Sequence, residues 1–410
     1  MHFRKMKDMK LTTRTGQLTA KILFATAYSV LAAEVFLRIF APQSILPRYV
    51  CPTDYGIRGN EPNRSYWHVT PDYRINIRTN SKGIRANGEI PYEKPPGVKR
   101  IVVLGDSFGM GYGVDLQDTF TSQMARSLEK NGIKCEVVNL SVSGHGNAEH
   151  LVALKEEGLR YEPDLVLVAW NSSDPDDNIR ANLFGLEDGR LVRRSKTYLP
   201  ATKLQEVLFK SRLYRLVAEH SHLYTLVRDK AANLVKYKIL LTIRRLSNAA
   251  NSAQSPDESA VAEAASKYRN NLTTAILEEI RQQCASKGAN LLILDIPRRV
   301  SRTEFKSLFP YDEAKDSKLD IFNPIRVFQQ HKGDKLYWEN SCGHFTPLGC
   351  RLIGEGLAEV ILKSGLLNRK SSDNNTTEIL RTGRENEQFN QWVDSQKSLD
   401  FFGVLPIVII

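Results

Sequence analysis

The sequence predicts an α/β fold built around a parallel sheet, and two observations support that prediction. Short apolar runs of the kind that form buried parallel strands recur between residues 100 and 297. Segments with helical periodicity lie between these runs, which is the pattern of βαβ units with right-handed crossovers. With 41% hydrophobic and 25% charged residues, the 410-residue chain has the composition of a core-forming globular protein.

The first element is the most apolar stretch, residues 22–41, which predicts a membrane anchor. About 20 helical residues match the roughly 30 Å hydrocarbon core of a bilayer. Glu34 and Arg38 interrupt the stretch, but their spacing lets them pair on one helical face. Residues 1–21 are strongly basic, so the positive-inside rule predicts that they stay in the cytoplasm. No small-residue cleavage site follows, which favours an uncleaved anchor over a signal peptide.

This topology predicts a single-pass protein whose remaining chain lies outside the cytoplasm, in the periplasm if the cell is Gram-negative. The alternative is that residues 22–41 form a buried amphipathic helix of a soluble protein. Residues 42–99 come next and are rich in Pro, Gly, Asn and Arg. They predict a loop-rich lead-in with a hairpin near residues 73–84.

The predicted sheet begins after this lead-in. Three apolar runs predict its first strands: RIVVLGDS (100–107), CEVVNLSV (135–142) and PDLVLVAW (163–170). Asp118 or Thr119 is expected to cap the helix that follows the first strand, which stops at Asn131-Gly132. Residues 147–159 predict the helix after the second strand.

Residues 178–258 interrupt the alternation of strands and helices. LEDGRLVRR predicts a hairpin with an Asp-Gly turn. Residues 201–246 predict two or three amphipathic helices, which either pack on the sheet as an insertion, form a lid, or lie against the membrane. Residues 247–258 are small and polar and predict a flexible loop.

The sheet pattern resumes after this insertion. Residues 259–286 predict a long amphipathic helix, and ANLLILDIP predicts the fourth strand. Residues 346–363 predict a last helix with Thr346 as its N-cap. Residues 366–410 have the composition of a disordered tail.

The net charge of +11 narrows the classes of partner. A basic surface suits anionic lipid or acidic polysaccharide. The sequence has no zinc-ligand spacing, phosphate-binding loop or basic-aromatic RNA motif, so we predict neither a metal, nor a cofactor, nor a nucleic-acid partner. Of the five cysteines, Cys342 and Cys350 flank a histidine. They form either a disulfide or a pair of reduced core thiols.

Three loops follow predicted strands and meet at the carboxyl edge of the predicted sheet, where open α/β sheets bind ligands. GDSFG places Ser107 directly after the first strand, and SVSGHGN places Gly144 directly after the second. The loop after the third strand, AWNSSDPDDN, supplies polar side chains from Asn171, Ser173 or Asp174. This convergence predicts a catalytic site with a serine nucleophile.

His344, in the segment GHFTPLG, is the candidate base. A serine hydroxyl is a poor nucleophile until a base takes its proton, and histidine suits that task near neutral pH. His145, next to Gly144, is the main rival. Asp106 adjoins the serine and is expected to tie down the turn rather than to move a proton.

These blocks resemble those of the SGNH (GDSL) hydrolase superfamily, and the stretch NSKGIRANGEIPYEKPPGVKRIVVLGDS resembles its membrane-anchored bacterial members. The resemblance implies a flavodoxin-like three-layer domain over residues 100–365 that hydrolyses or transfers an acyl ester. It implies that Ser107 is the nucleophile and His344 the base. It also implies that the N–H groups of Ser107 and Gly144 hold the oxyanion, together with Asn171 or Ser173.

Two positions depart from the family pattern. The third block usually has Asn followed by Asp, but Ser173 and Asp174 occupy those positions, and Asn171 lies two residues earlier. The last block usually has Asp two or three residues before the histidine, where this chain has Cys342 and Ser341. We therefore expect one of two arrangements: Glu339, Asp334 or a backbone carbonyl orients the imidazole, or Ser107 and His344 act as a slower dyad.

Three functions remain open at this point. The first is an ester hydrolase that acts on O-acyl groups, such as O-acetyl groups of an envelope glycan or lipid. The second is an acyltransferase that uses the same residues on an exported polysaccharide. The third is a catalytically silent glycan-binding or scaffold protein, which the two departures favour.

Overall fold

The computed structural model describes residues 2–200, 202–231, 234, 258–341 and 343–368. The chain divides into two compact units. The helical unit contains Met1–Pro47, Trp67–Arg74 and Glu206–Ser255. The sheet unit contains Arg48–Tyr66, Ile75–Gln205 and Pro256–Ile410.

A five-stranded parallel sheet forms the centre of the sheet unit. In chain order its strands are β5 (Lys99–Gly105), β6 (Cys135–Asn139), β7 (Leu165–Trp170), β10 (Asn290–Asp295) and β13 (Ile321–Phe322). Their spatial order is β13-β10-β7-β5-β6. Counted from the β6 edge this is 2-1-3-4-5, the flavodoxin-like order, so the predicted fold class is confirmed.

The remaining strands form short antiparallel pairs outside this sheet. They are β1 (Val50–Pro52), β2 (Arg58–Asn60), β3 (Ser65–Val69), β4 (Arg74–Arg78), β8 (Phe184–Glu187), β9 (Arg190–Arg193), β11 (Arg298–Arg299) and β12 (Phe305–Lys306).

Helices cover both faces of the sheet. Those of the sheet unit are α2 (Ser107–Met110), α3 (Phe120–Lys130), α4 (Asn147–Glu156), α5 (Asp174–Ala181), α9 (Glu258–Ser286), α10 (Tyr311–Ala314), α11 (Ile325–Gln330) and α12 (Pro347–Ser364). Alternate residues of β5 face opposite ways: Val103 packs with α3 and α12, and Val102 with α4 and α9. This alternation gives three layers with a core on each side of the sheet.

The structure confirms the predicted strands and caps within this unit. The Thr119 hydroxyl accepts from Ser122 N at 3.2 Å at the start of α3, and the Thr346 hydroxyl accepts from Gly349 N at 3.3 Å at the start of α12. Asp188 and Gly189 form the turn between β8 and β9 with positive φ values of 49° and 75°. Such values are what a two-residue hairpin turn of the Asp-Gly kind requires.

Three predictions needed correction. The hairpin expected near residues 73–84 is the earlier pair β3–β4, whose turn lies at residues 70–73. The helix expected over residues 147–159 ends at Glu156, and a 3₁₀ turn, Gly158–Tyr161, follows. Helix α5 and strand β13 were not predicted, because β13 has only two residues and α5 opens with a run of acidic side chains.

The helical unit contains the long helix α1 (His2–Phe40), part of α6 (Thr202–Lys210), α7 (Arg212–His220) and helix α8 (222–231). Helix α1 begins well before the predicted anchor, and its 25-residue stretch Gly16–Phe40 is long and apolar enough to cross a membrane. The predicted pairing of Arg38 with Glu34 is present at 2.8 Å. Residues 247–257, Cys342 and residues 369–410 lie outside the described residues, so the predicted loop, disulfide and tail remain predictions.

Candidate active site

The nucleophile candidate lies at the carboxyl end of the central strand β5. The strand ends at Gly105, and α2 begins at Ser107. Between them, the Asp106 carboxylate accepts a hydrogen bond from Phe108 N at 2.8 Å. Asp106 therefore ties down the turn as predicted, and the half-buried Ser107 hydroxyl lies above the sheet edge. This is the position at which open α/β sheets bind ligands.

His344 reaches this hydroxyl from a loop 237 residues further along the chain. Its Nε2 lies 2.8 Å from Ser107 Oγ. The imidazole ring packs against two aromatic rings, with centroids 4.8 Å from Phe108 and 5.5 Å from Tyr112. Backbone bonds also hold the loop, since Trp338 N donates to His344 O at 2.8 Å. The two residues singled out from the sequence are thus in direct contact.

The other ring nitrogen, His344 Nδ1, is buried and has no hydrogen-bond partner among the described residues. The carboxylates expected as orienting groups are engaged elsewhere. Glu339 pairs with Arg302 at 2.7 Å, and Asp334 pairs with His331 at 2.8 Å. No backbone carbonyl takes their place within the described part of the chain. The expectation that one of these groups orients the imidazole is therefore wrong for this structure.

Burial sets the protonation of the candidate base. Desolvation, with a smaller contribution from the positive charge of Arg48, lowers the pKa of His344 to about 4. A neutral imidazole is the form that accepts a proton from a hydroxyl. His344 is consequently ready to act as a base across the neutral range.

The other candidate base, His145, contacts a backbone carbonyl of the lead-in segment. His145 Nε2 lies 2.9 Å from the Arg58 carbonyl oxygen in β2, and burial holds the pKa of His145 well below its usual value. This contact ties His145 to the lead-in segment.

The loop after β6 is held by side chains from that lead-in. Arg58 Nη2 donates to Gly144 O at 3.0 Å, and Asn60 Nδ2 donates to Ser141 O at 3.1 Å. Gly144 has a φ of 82°, which favours glycine, and an added Cβ would lie 3.2 Å from Arg58 Nη2. Sequence reasoning missed Arg58 and Asn60, because no motif marks the three-residue strand that carries them.

The two side chains considered as further oxyanion donors lie in different surroundings. Asn171 Nδ2 donates to Asp106 Oδ2 at 2.7 Å, which places the amide beside the nucleophile turn. One of its two N–H bonds remains for a ligand. Ser173 is exposed at the start of α5, and its side chain hydrogen-bonds the Asp177 carboxylate. The structure therefore joins Asn171, rather than Ser173, to the turn that carries Ser107.

A buried polar cluster adjoins the turn that carries Asp106 and Ser107. Asp174 Oδ2 accepts from Asn147 Nδ2 at 2.8 Å and from Asn171 N at 3.3 Å. Burial raises the pKa of Asp174 well above its usual value and also raises that of Asp106. Asp174 thus helps to position Asn171 by accepting a hydrogen bond from its backbone N–H. The described residues contain no group of three or more His, Cys, Asp or Glu side chains placed to hold a metal ion.

No model of a known protein family matches the chain. Among curated proteins, an arylesterase of Vibrio mimicus is 30% identical over 76 residues, which are 18% of this chain and 38% of that protein. The matched stretch is thus well under half of that relative's length.

Several solved structures are similar to the chain. TesA has 13% identity and a TM-score of 0.34, with 64% of this chain and 98% of TesA covered. The psychrotrophic esterase EstA from Pseudoalteromonas sp. has 14% identity and a TM-score of 0.34, with 65% and 97% covered. A Desulfitobacterium hafniense DCB-2 protein, named as lipolytic and of the G-D-S-L family, has 11% identity and a TM-score of 0.34, with 64% and 99% covered. These values are too low to transfer an activity, so we infer function from the chain's own side chains.

Proposed function

We propose that the chain is a serine ester hydrolase of the SGNH type, in which Ser107 is the nucleophile and His344 the base. The single observation that carries the proposal is the 2.8 Å contact between Ser107 Oγ and His344 Nε2 at the carboxyl end of β5. The sequence blocks GDSF, NLSVSGHG and GHFTPLG, which resemble that family, hold these residues and Gly144.

In the first step, Ser107 Oγ forms a bond to the acyl carbon while its proton passes to His344 Nε2. The carbonyl electron pair moves onto the oxygen, which becomes an oxyanion. The backbone N–H groups of Ser107 and Gly144 and the free N–H of Asn171 are the proposed donors to this oxyanion. Donors fixed in place before the reaction stabilise such charge strongly, at about 3 kcal/mol each.

The tetrahedral intermediate then collapses. The bond between the acyl carbon and the alcohol oxygen breaks, and the departing alcohol takes the proton from His344. Water attacks the acyl-enzyme while His344 again accepts a proton. The bond between Ser107 Oγ and the acyl carbon then breaks, the acid leaves, and His344 returns the proton to Ser107 Oγ. Because His344 Nδ1 has no partner among the described residues, we propose a dyad rather than a triad.

The proposed substrate is an acyl ester outside the cytoplasm, such as an O-acetyl group on an envelope glycan or lipid. Two features support this placement. Helix α1 has the length and apolarity of a membrane span, and residues 1–21 carry the positive charge that keeps the N-terminus in the cytoplasm. These features support the proposal of a single-pass protein whose sheet unit lies outside the cytoplasm.

The proposal is tested on the full-length protein in lipid nanodiscs with a fluorophosphonate probe and an aryl acetate. We expect the probe to label Ser107 and the acetate to be cleaved, and Ser107→Ala to abolish both. Ser127→Ala, a serine of α3 outside the site, is the matched control and should behave as wild type.

Two results would redirect the assignment. Failure of the probe to label the wild-type protein, or equal cleavage by Ser107→Ala, would leave a silent glycan-binding or scaffold protein. Acyl transfer to an added oligosaccharide, detected by mass spectrometry and lost in Ser107→Ala, would assign an acyltransferase that uses the same residues.

A further inference from the structure

The helical unit exposes large apolar side chains on its short helices. Val207 of α6, Leu213 and Leu216 of α7, and Val227 of α8 are between 58% and 72% exposed. Leu213 and Leu216 are three residues apart and therefore share one helical face. Apolar side chains that cluster on the surface in this way indicate an interaction site.

The corner between α7 and α8 is fixed to the last turns of α1. The Glu34 carboxylate accepts hydrogen bonds from Ser221 Oγ at 2.8 Å, His222 N at 3.0 Å and Leu223 N at 2.9 Å. Arg38 donates to the last carbonyl of α7 at 2.6 Å. A carboxylate that accepts several hydrogen bonds near the start of a helix is well satisfied. These contacts define where α7 and α8 lie along α1.

That position corresponds to the boundary of a bilayer. Glu34 lies six residues before Phe40, the end of the candidate span. Six helical residues rise about 9 Å, and amphipathic helices bury their apolar faces about 5–10 Å into the headgroup and acyl boundary. Phe36 and Ile39, on the same turns of α1, are also exposed. The corner therefore lies at the depth that interfacial helices occupy.

The net positive charge of the segment that contains α7 and α8 indicates which lipid headgroups it would contact. Residues 206–231, which include α7 and α8, contain five lysines and arginines against three acidic residues. Basic side chains beside an apolar face are attracted to anionic headgroups. The charge balance thus favours a bilayer surface over an apolar protein partner.

We propose that α6, α7 and α8 form a collar in the headgroup region of an anionic bilayer, around the outer end of α1. The collar buries Leu213, Leu216 and Val227 at the acyl boundary. This proposal rests on the membrane insertion of α1 proposed above and is independent of ester chemistry.

The test uses the full-length protein in nanodiscs of phosphatidylethanolamine and phosphatidylglycerol. The discs contain one of two photoactivatable phospholipids, with the reactive group either near the glycerol or at the end of the acyl chain. Cross-linked peptides are then mapped by mass spectrometry. We expect the glycerol-level probe to label residues 206–231 and the chain-end probe to label the middle of α1.

Leu213→Asp/Leu216→Asp should lower the glycerol-level labelling of residues 206–231 by about tenfold or more, because charge and lost apolar area both oppose insertion. Both side chains are exposed, so the fold should be retained, as near-UV circular dichroism would verify. Val300→Asp, an apolar residue of the sheet unit that is 50% exposed, is the matched control and should change nothing.

Three results would overturn the collar. Chain-end labelling of α1 without glycerol-level labelling of residues 206–231 would leave the anchor and remove the collar. Cross-links between residues 206–231 of two copies, formed by a bifunctional amine-reactive reagent in parallel samples that lack lipid adducts, would make the apolar face a self-association surface. Absence of both labels would remove anchor and collar together. Labelling of Ser107 by a fluorophosphonate, measured on the same sample, reports on the ester chemistry separately.

Discussion

The two sides of the Ser107–His344 contact are supported by different interactions. On the serine side, buried carboxylates and amides connect the turn to neighbouring strands, through Asp106, Asn171 and Asp174. On the histidine side, the ring packs against aromatic residues and its Nδ1 has no partner among the described residues. The proposed nucleophile is thus positioned by side-chain hydrogen bonds, whereas the imidazole of the proposed base is positioned by packing, by its contact with the serine and by the backbone bond from Trp338 N to His344 O.

The serine side of the site therefore depends on directed hydrogen bonds, and the histidine side depends on aromatic packing. Hydrogen bonds to buried carboxylates fix direction, so the serine side should tolerate little substitution. Aromatic packing fixes the place of the imidazole but not which nitrogen carries the proton.

The largest effect is expected from removing the base. His344→Ala should lower kcat for an aryl acetate by about 10³-fold or more, since the serine then has no group to take its proton. The matched control is His331→Ala, because His331 pairs with Asp334 and not with the serine. If kcat of His344→Ala stayed close to that of wild type, another residue would have to be the base.

The next effect tests the serine side. Asn171→Ala should lower kcat by about 10²-fold with little change in KM, because it removes a proposed oxyanion donor. Ser173→Ala should leave kcat within about twofold, since that hydroxyl bonds Asp177 instead. Steady-state kinetics of both variants gives the two values of kcat. A larger loss of kcat in Ser173→Ala than in Asn171→Ala would make Ser173 the donor.

A loss of stability is expected from replacing Asp174, which lies in the buried polar cluster next to the serine turn. Asp174→Ala should lower the free energy of unfolding by about 1–3 kcal/mol, because Asn147 then loses its buried acceptor. Asp174→Asn should cost less, since its side-chain oxygen can still accept from Asn147. Denaturant unfolding of the two variants measures the difference, and equal stabilities of Asp174→Ala and wild type would count against the cluster.

Wild type and Asp174→Asn should also differ in how their free energies of unfolding depend on pH. The pKa of Asp174 is raised on folding, so the folded state binds a proton that the unfolded state releases. The contribution of Asp174 is therefore most favourable below its unfolded pKa and is lost as pH rises from that value toward its folded pKa. The free energy of unfolding of Asp174→Asn should accordingly fall less than that of wild type as the pH rises between these two pKa values.

The smallest effect concerns the pKa of the base. With the pKa of His344 lowered to about 4, the acid limb of kcat/KM should lie near pH 4, well below the value of about 6.5 for a free imidazole. Arg48→Gln should move this limb upward by a fraction of a pH unit, because a positive charge near the ring is removed. An acid limb near 6.5 in wild type would show that His344 is hydrated or paired in the free enzyme.

The contact between Ser107 and His344 was predictable because each motif stands next to a strand end or a helix cap, and parallel strands end at one edge. The same logic placed Gly144 and Asn171. Arg58 escaped prediction because it lies on a three-residue strand in a loop-rich segment with no motif. The helical unit escaped because it assembles from three stretches of chain, and local periodicity does not report which distant segments meet.

The hydrogen bond from Arg58 to Gly144 spans 86 residues. Closing such a loop costs chain entropy, which is recovered only once the contact has formed. Strands β5, β6 and β7 pair through shorter connections, so these three strands are expected to pair before the loop that carries Gly144 acquires its final shape. During refolding, burial of these strands should therefore precede any gain of the proposed activity, which also awaits the contact between Ser107 and His344 across 237 residues.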